Sequence, residues 1–144
     1  MKKFFLNLFQ SLIHLIVYKK IWGEQKMLRT NLNHILSEEE YNKILKENEN
    51  VMICCGRMGP MCIPVYQAMQ ELENEYQHVK FFDMEFDIPD AHVIRNLPEC
   101  KGFAGLPFTV YYKNGKVVKA TSSIQTKEQI IKILNNYFGT YKNK

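Results

Sequence analysis

The stretch FTVYYKNGKVVKA, residues 108 to 120, constrains the fold more than any other part of the chain. Two runs rich in β-branched and aromatic residues meet at Asn114-Gly115. Asn and Gly both tolerate the positive φ that a two-residue hairpin turn requires, so the stretch predicts two antiparallel strands joined tightly. A hairpin alone is marginal in water, and the rest of the chain must supply further strands and a cover for the sheet.

Helix and strand signals alternate through that remainder. Ser37-Glu38-Glu39-Glu40 reads as a capping-box start, with Ser37 at the N-cap, for a helix to about Glu47 whose Tyr41, Ile44 and Leu45 share a face. VMICC, residues 51 to 55, is a short apolar run suited to a buried strand. Pro60 can begin a helix through about residue 76, with Val65, Met69, Leu72 and Tyr76 at helical spacing. VKFFDMEFD, residues 79 to 87, alternates as a strand, and AHVIRNL, residues 91 to 97, is a short helix stopped by Pro98. Thr126 caps a last helix carrying Ile130, Ile131, Ile133, Leu134 and Tyr137. Met52, Met69 and Met84 fall on these patterns as core residues. The order helix, strand, helix, strand, helix, hairpin, helix predicts an α/β domain: a mixed central sheet flanked by helices. With 144 residues, 46% hydrophobic and 24% charged, one core is expected.

The charge is unevenly placed. The formal +4 comes from residues 1–27, where Lys2, Lys3, Lys19, Lys20 and Lys26 face only Glu24; residues 28–144 balance. That neutral body gives no electrostatic case for nucleic acid. In FFLNLFQSLIHLIVY, residues 4 to 18, the polar Asn7, Gln10, Ser11 and His14 form one narrow stripe on an otherwise greasy helix. Such a helix is about 22 Å long, short of the ~30 Å hydrocarbon core. No small-residue cleavage site follows it, so neither a spanning helix nor a cleaved signal is indicated. With lysine pairs at both ends and Tyr18, Ile21 and Trp22 nearby, residues 4–22 fit contact with a membrane surface. Packing on the domain or a partner, or translation from Met27, fits equally well. The division is therefore residues 1–27, a basic amphipathic extension, and 28–144, the folded domain.

Three of the four cysteines lie in CCGRMGPMC, residues 54 to 62. A disulfide-stapled secreted domain spreads its cysteines to close long loops, whereas this cluster points to thiol chemistry in a reducing compartment, the cytoplasm. A thiol becomes nucleophilic when its thiolate is stabilised, which free N–H groups at a helix start and a nearby cation both do. Cys62, two residues beyond Pro60 and close to Arg57, is the expected low-pKa thiol. Cys55 is the expected second thiol, since Gly56 and Gly59 allow the loop to fold back. Cys54 points to the other side of the strand and is expected to be inert. Cys100, in LPECKGF, reads most simply as an isolated surface cysteine.

From about residue 36 to residue 138 the chain resembles the thioredoxin superfamily. VMICCGRMGPMC, GLPFT at residues 105 to 109 and VYYKNGKVV at residues 110 to 118 carry the resemblance. It implies a thioredoxin-like sheet, with the amphipathic helix added in front, and thiol-disulfide exchange contributing to redox homeostasis without a cofactor. It implies a cis Pro107 beside the reactive cysteine, with Gly59, Pro60, Leu106 and Pro107 forming the substrate-binding edge. The implied partners are a protein disulfide substrate or an electron-donor reductase. The chain departs from the family where a C-x-x-C pair is expected: with Cys62 as the second cysteine, the first is Gly59. The usual tryptophan and strand carboxylate are missing as well.

Three functions remain open at this level. The first is an oxidoreductase using Cys55 and Cys62, with Arg57 and Cys54 in support. The second is a binding module that has kept the fold and lost turnover. The third is a soft metal site on Cys54, Cys55, Cys62 and Cys100, whose spacing matches no paired zinc knuckle. His14, His34, His78 and His92 are scattered and read as solvated or locally bonded; Met58 and Met61 read as apolar cover or substrate contacts.

Overall fold

The computed structural model describes residues 27 to 140. The amphipathic helix and membrane contact expected within residues 4–22 lie outside the described residues. No helix among the described residues is long and apolar enough to cross a membrane.

Five strands form one mixed sheet: β1 (Asn33–Ile35), β2 (Asn50–Gly56), β3 (Lys80–Glu85), β4 (Phe108–Lys113) and β5 (Lys116–Ser122), in the spatial order β1-β3-β2-β4-β5. β3 runs parallel to both β1 and β2, while β4 is antiparallel to β2 and β5. The turn between β4 and β5 is the one the sequence predicts, with positive φ at both Asn114 (53°) and Gly115 (78°). β1 has no counterpart in the sequence reading, because three residues are too few to show a period of two.

Four α-helices accompany the sheet in the described residues: α1 (Glu38–Glu47), α2 (Ile63–Leu72), α3 (His92–Arg95) and α4 (Lys127–Phe138). Ser37 caps α1 through Glu40 N–H, but the Glu40 carboxylate reaches back to Leu36 N–H rather than to Ser37. Thr126 and Gln129 complete a reciprocal capping box on α4. α2 starts later than the sequence suggests. Pro60 belongs to a preceding turn, Cys62 is the N-cap, and Pro64 takes the early helical position where a missing N–H costs nothing.

The sheet is covered on both faces, so β2 is apolar and buried from Val51 to Gly56 rather than alternating. Met52 and Cys54 face one core with Val65, Met69 and Leu72 of α2, Tyr111, and Ile130 and Leu134 of α4. Val51, Ile53 and Cys55 face a second core with Tyr41 of α1, Ile94 of α3, Val110 and Tyr112. Successive side chains of a strand point to opposite faces, and here that places adjacent cysteines in different cores.

Candidate active site

The site forms where β2 ends and the chain turns into α2. After Gly56, residues 57 to 61 loop outward and return to Cys62, whose N–H donates to Gly59 O at 3.1 Å. Beside this loop runs the segment before β4, where the Leu106–Pro107 peptide bond is cis. Ser123 N–H donates to both Gly105 O and Pro107 O, holding that segment against the end of β5.

Gly56 is the point of convergence. A β-carbon there would stand 2.7 Å from the Tyr66 hydroxyl, 2.8 Å from Cys62 Sγ and 3.0 Å from Pro107 Cβ. Only glycine fits, and Cys62, Tyr66 and Pro107 close over it. Of the residues the sequence singles out, Cys62, Pro107 and half-buried Leu106 are brought together here. Gly59 and Pro60 lie on the outer loop, and a β-carbon on Gly59 would meet nothing within 4 Å.

Cys62 is nearly sealed, at 3% exposure. Its Sγ accepts a long hydrogen bond from Arg57 N–H at 3.5 Å, and the Tyr66 hydroxyl donates to Arg57 O at 3.0 Å. Burial raises the Cys62 thiol above its ordinary range, and the Arg57 N–H, the neighbouring Tyr66 hydroxyl and the Arg57 charge offset this only in part. The expected low-pKa thiol is therefore corrected: at this helix start, desolvation outweighs the helix and the cation. The cation is itself engaged. The Arg57 guanidinium grips Asp87 through two hydrogen bonds of 2.7 and 2.8 Å and lies over the Phe86 ring, 5.5 Å from its centre.

The expected pairing of Cys55 with Cys62 is also corrected. Cys55 lies fully buried in the core opposite Cys62, in the same core as Cys100, and burial pushes its thiol up strongly. Cys54 shares the core that holds Cys62 and Tyr66. Cys100 is no surface cysteine: at 3% exposure it is buried behind the short turn Pro98–Cys100, its thiol raised to about 11. All four cysteines are free thiols.

A row of polar residues crosses the sheet on the face of Cys54. His34, Asp83, Cys54, Thr109 and Thr121 stand in register on β1, β3, β2, β4 and β5. Asp83 is fully buried and accepts from Thr30 Oγ1 at 2.5 Å, with His34 Nδ1 at 2.6 Å. Thr109 Oγ1 donates to Cys54 Sγ at 3.8 Å. Burial raises the Asp83 carboxyl, with Thr30 and His34 opposing. The signal for Asp83 is present in VKFFDMEFD, where a period of two puts it on one face with Phe81; Tyr66 gives no signal beyond helical spacing. Among the described residues no group of three or more His, Cys, Asp or Glu is placed to hold a metal ion, so the soft-metal alternative loses its geometry.

No protein-family model and no curated protein matches the sequence. Solved structures do. The oxidised thioredoxin of Plasmodium falciparum is 18% identical, with a TM-score of 0.59 over 74% of this chain and 98% of its own. Thioredoxin f2 of Chlamydomonas reinhardtii is 13% identical, with a TM-score of 0.64 over 77% of this chain and 100% of its own. A mutant thioredoxin from Halobacterium salinarum is 13% identical, with a TM-score of 0.62 over 82% of this chain and 98% of its own.

Proposed function

We propose, from the premise that the chain has the thioredoxin fold, that it carries out thiol-disulfide exchange at Cys62, with a protein disulfide as substrate and a dithiol reductase as electron donor. The observation that supports this reading most directly is the Cys62 sulfur at the helix start, closed over Gly56 together with the cis Pro107. Attack by the Cys62 thiolate on one substrate sulfur forms a mixed disulfide, which a second thiol releases. The exposed Met58 and Met61, with Gly59 and Pro60 between them, offer an apolar edge for the substrate chain. No cofactor is needed for this chemistry.

A second reading has its own support. Gly59 stands where the resemblance expects a first cysteine, and Cys62 is both buried and raised in pKa. A module that grips an extended peptide beside Pro107 without turnover suits those facts. Differential alkylation with mass spectrometry, before and after exposure to a mild disulfide oxidant, separates the two. Loss of two hydrogens involving Cys62, restored by reduction and absent in Cys62→Ser, is expected for exchange. Four thiols that stay free identify the binding module.

Placement of the body in the cytoplasm, held at a membrane surface by residues 4–22, belongs to the same proposal. It rests on the clustered thiols and the amphipathic N-terminal sequence. Vesicle sedimentation of the full chain against a chain starting at Met27 tests it: equal sedimentation of the two removes the membrane contact.

A further inference from the structure

Thiol exchange needs a second sulfur that reaches the first, and β2 offers two neighbours facing opposite ways. Gly56 marks the side of the strand that faces Cys62, because a β-carbon on it would stand 2.8 Å from Cys62 Sγ. Two positions earlier on a strand lies the same face, and that position is Cys54. Cys54 and Cys62 share one core. Cys55 points away into the other core.

We infer that Cys54 is the resolving thiol for Cys62, making the redox pair an unusual C-x7-C arrangement between the end of β2 and the cap of α2. The inference rests on the proposed exchange at Cys62 and adds which thiol completes it. In the first step the Cys62 thiolate attacks a substrate disulfide; one substrate sulfur stays bound as a mixed disulfide, and the other leaves as a thiolate and is protonated. In the second step Cys54 loses its proton and attacks Cys62 Sγ. The Cys54–Cys62 bond forms, the mixed disulfide breaks, and the second substrate thiolate departs. Two electrons pass from the cysteine pair to the substrate disulfide, which is the oxidant.

The proton of Cys54 has a built acceptor. Asp83 is directly across from Cys54 in the strand register and on the same face. Around the pair stand Thr30 and His34 on the carboxylate, Thr109 on the Cys54 sulfur, and Tyr66 and Cys62 from α2 and its cap. His34 is partly exposed, with a side chain 22% accessible, so the row reaches solvent at β1. A carboxylate is thus supplied beside Cys54 from the neighbouring strand.

The experiment is a stoichiometric reaction of the fully reduced, full-length protein with 2,2′-dithiodipyridine, reading thiopyridone release, in wild type, Cys54→Ser, Cys55→Ser and Cys62→Ser. Circular dichroism confirms that each variant is folded. The expected result is two releases in wild type and Cys55→Ser, and a single release in Cys54→Ser that leaves Cys62 carrying thiopyridine. Asp83→Asn is expected to slow the second release and leave the first unchanged. Trypsin cuts after Arg57, so a Cys54–Cys62 bond appears as two linked peptides; their presence in Cys55→Ser identifies Cys54 even if Cys54→Ser does not fold. If Cys62 reacts but is resolved through Cys55, or only by added thiol, the inference is overturned while exchange at Cys62 stands. If Cys62 does not react, both fall.

Discussion

A β-carbon on Gly56 would stand 2.8 Å from the sulfur of Cys62. The last residue of β2 and the cap of α2 are therefore in direct apposition. Gly56→Ala must displace Cys62, Tyr66 or the backbone segment of Pro107. A loss of about 1–3 kcal/mol in chemical denaturation is expected, as for overpacking in other cores, together with a changed rate of Cys62 alkylation. Wild-type stability and reactivity in this variant would show that the three groups are not closed over Gly56.

Gly59 presents the opposite case. A β-carbon there meets nothing within 4 Å, and its φ lies in the range open to any residue. Gly59→Cys is expected to change stability by no more than about 0.5 kcal/mol, as for exposed substitutions generally. On oxidation the introduced thiol should form a disulfide with Cys62, and the variant should turn over faster than wild type in an insulin-reduction assay with dithiothreitol. Failure of the new thiol to pair with Cys62 would mean that the loop does not present this position to the site.

Burial sets the pH behaviour of Cys62. Its pKa is raised above the ordinary 9.0, so the thiolate fraction near neutrality is smaller than for a solvated cysteine. Alkylation of Cys62 by iodoacetamide, followed by peptide mass, is expected to keep rising beyond pH 9. A plateau near neutral pH would show that the helix start and Arg57 prevail over desolvation.

Asp83 carries the opposite charge problem. Its carboxyl is raised above 3.8 by burial, so the native state holds the proton more tightly than the unfolded state. Its contribution to stability is present below pH 3.8 and is lost as pH rises through the folded value. Asp83→Asn keeps the shape and an acceptor for Thr30 but cannot ionise. The melting temperature of this variant relative to wild type is expected to increase from acid to neutral pH. A difference that is constant across that range would show that Asp83 ionises as readily folded as unfolded.

The Arg57–Asp87 pair is bidentate but sits in solvent, with side chains 55% and 40% accessible. Arg57→Ala is expected to cost about 0.2–1 kcal/mol by denaturation, the range for exposed ion pairs. A loss of several kcal/mol would mean that stacking on Phe86 does more than the charge.

Most elements are legible in the sequence because they rest on local rules. Asn114-Gly115 defines the hairpin, Ser37 and Thr126 start their helices, and Val65, Met69 and Leu72 repeat at the period of a buried helical face. The start of α2 is ambiguous in sequence because two prolines, Pro60 and Pro64, both suit a first turn, and only the packed loop selects the second. Cys62 and Pro107 are legible as site residues. The surroundings of Cys62 and Cys54 are less so, since Tyr66 closes beside Cys62 from α2 while Asp83 and Thr109 flank Cys54 from β3 and β4.

The sequence alone determined that Cys54 and Cys55 face opposite ways, because a strand alternates its side chains whatever surrounds it. It could not say which of the two faces Cys62. That depends on which side of the sheet α2 covers, a choice made by the connection from β2 and by the packing of Val65, Met69 and Leu72 against Met52 and Tyr111. Tertiary structure likewise decided the state of the thiols. Spacing places a cysteine near a helix start and an arginine, but only the folded core removes the water and raises the pKa.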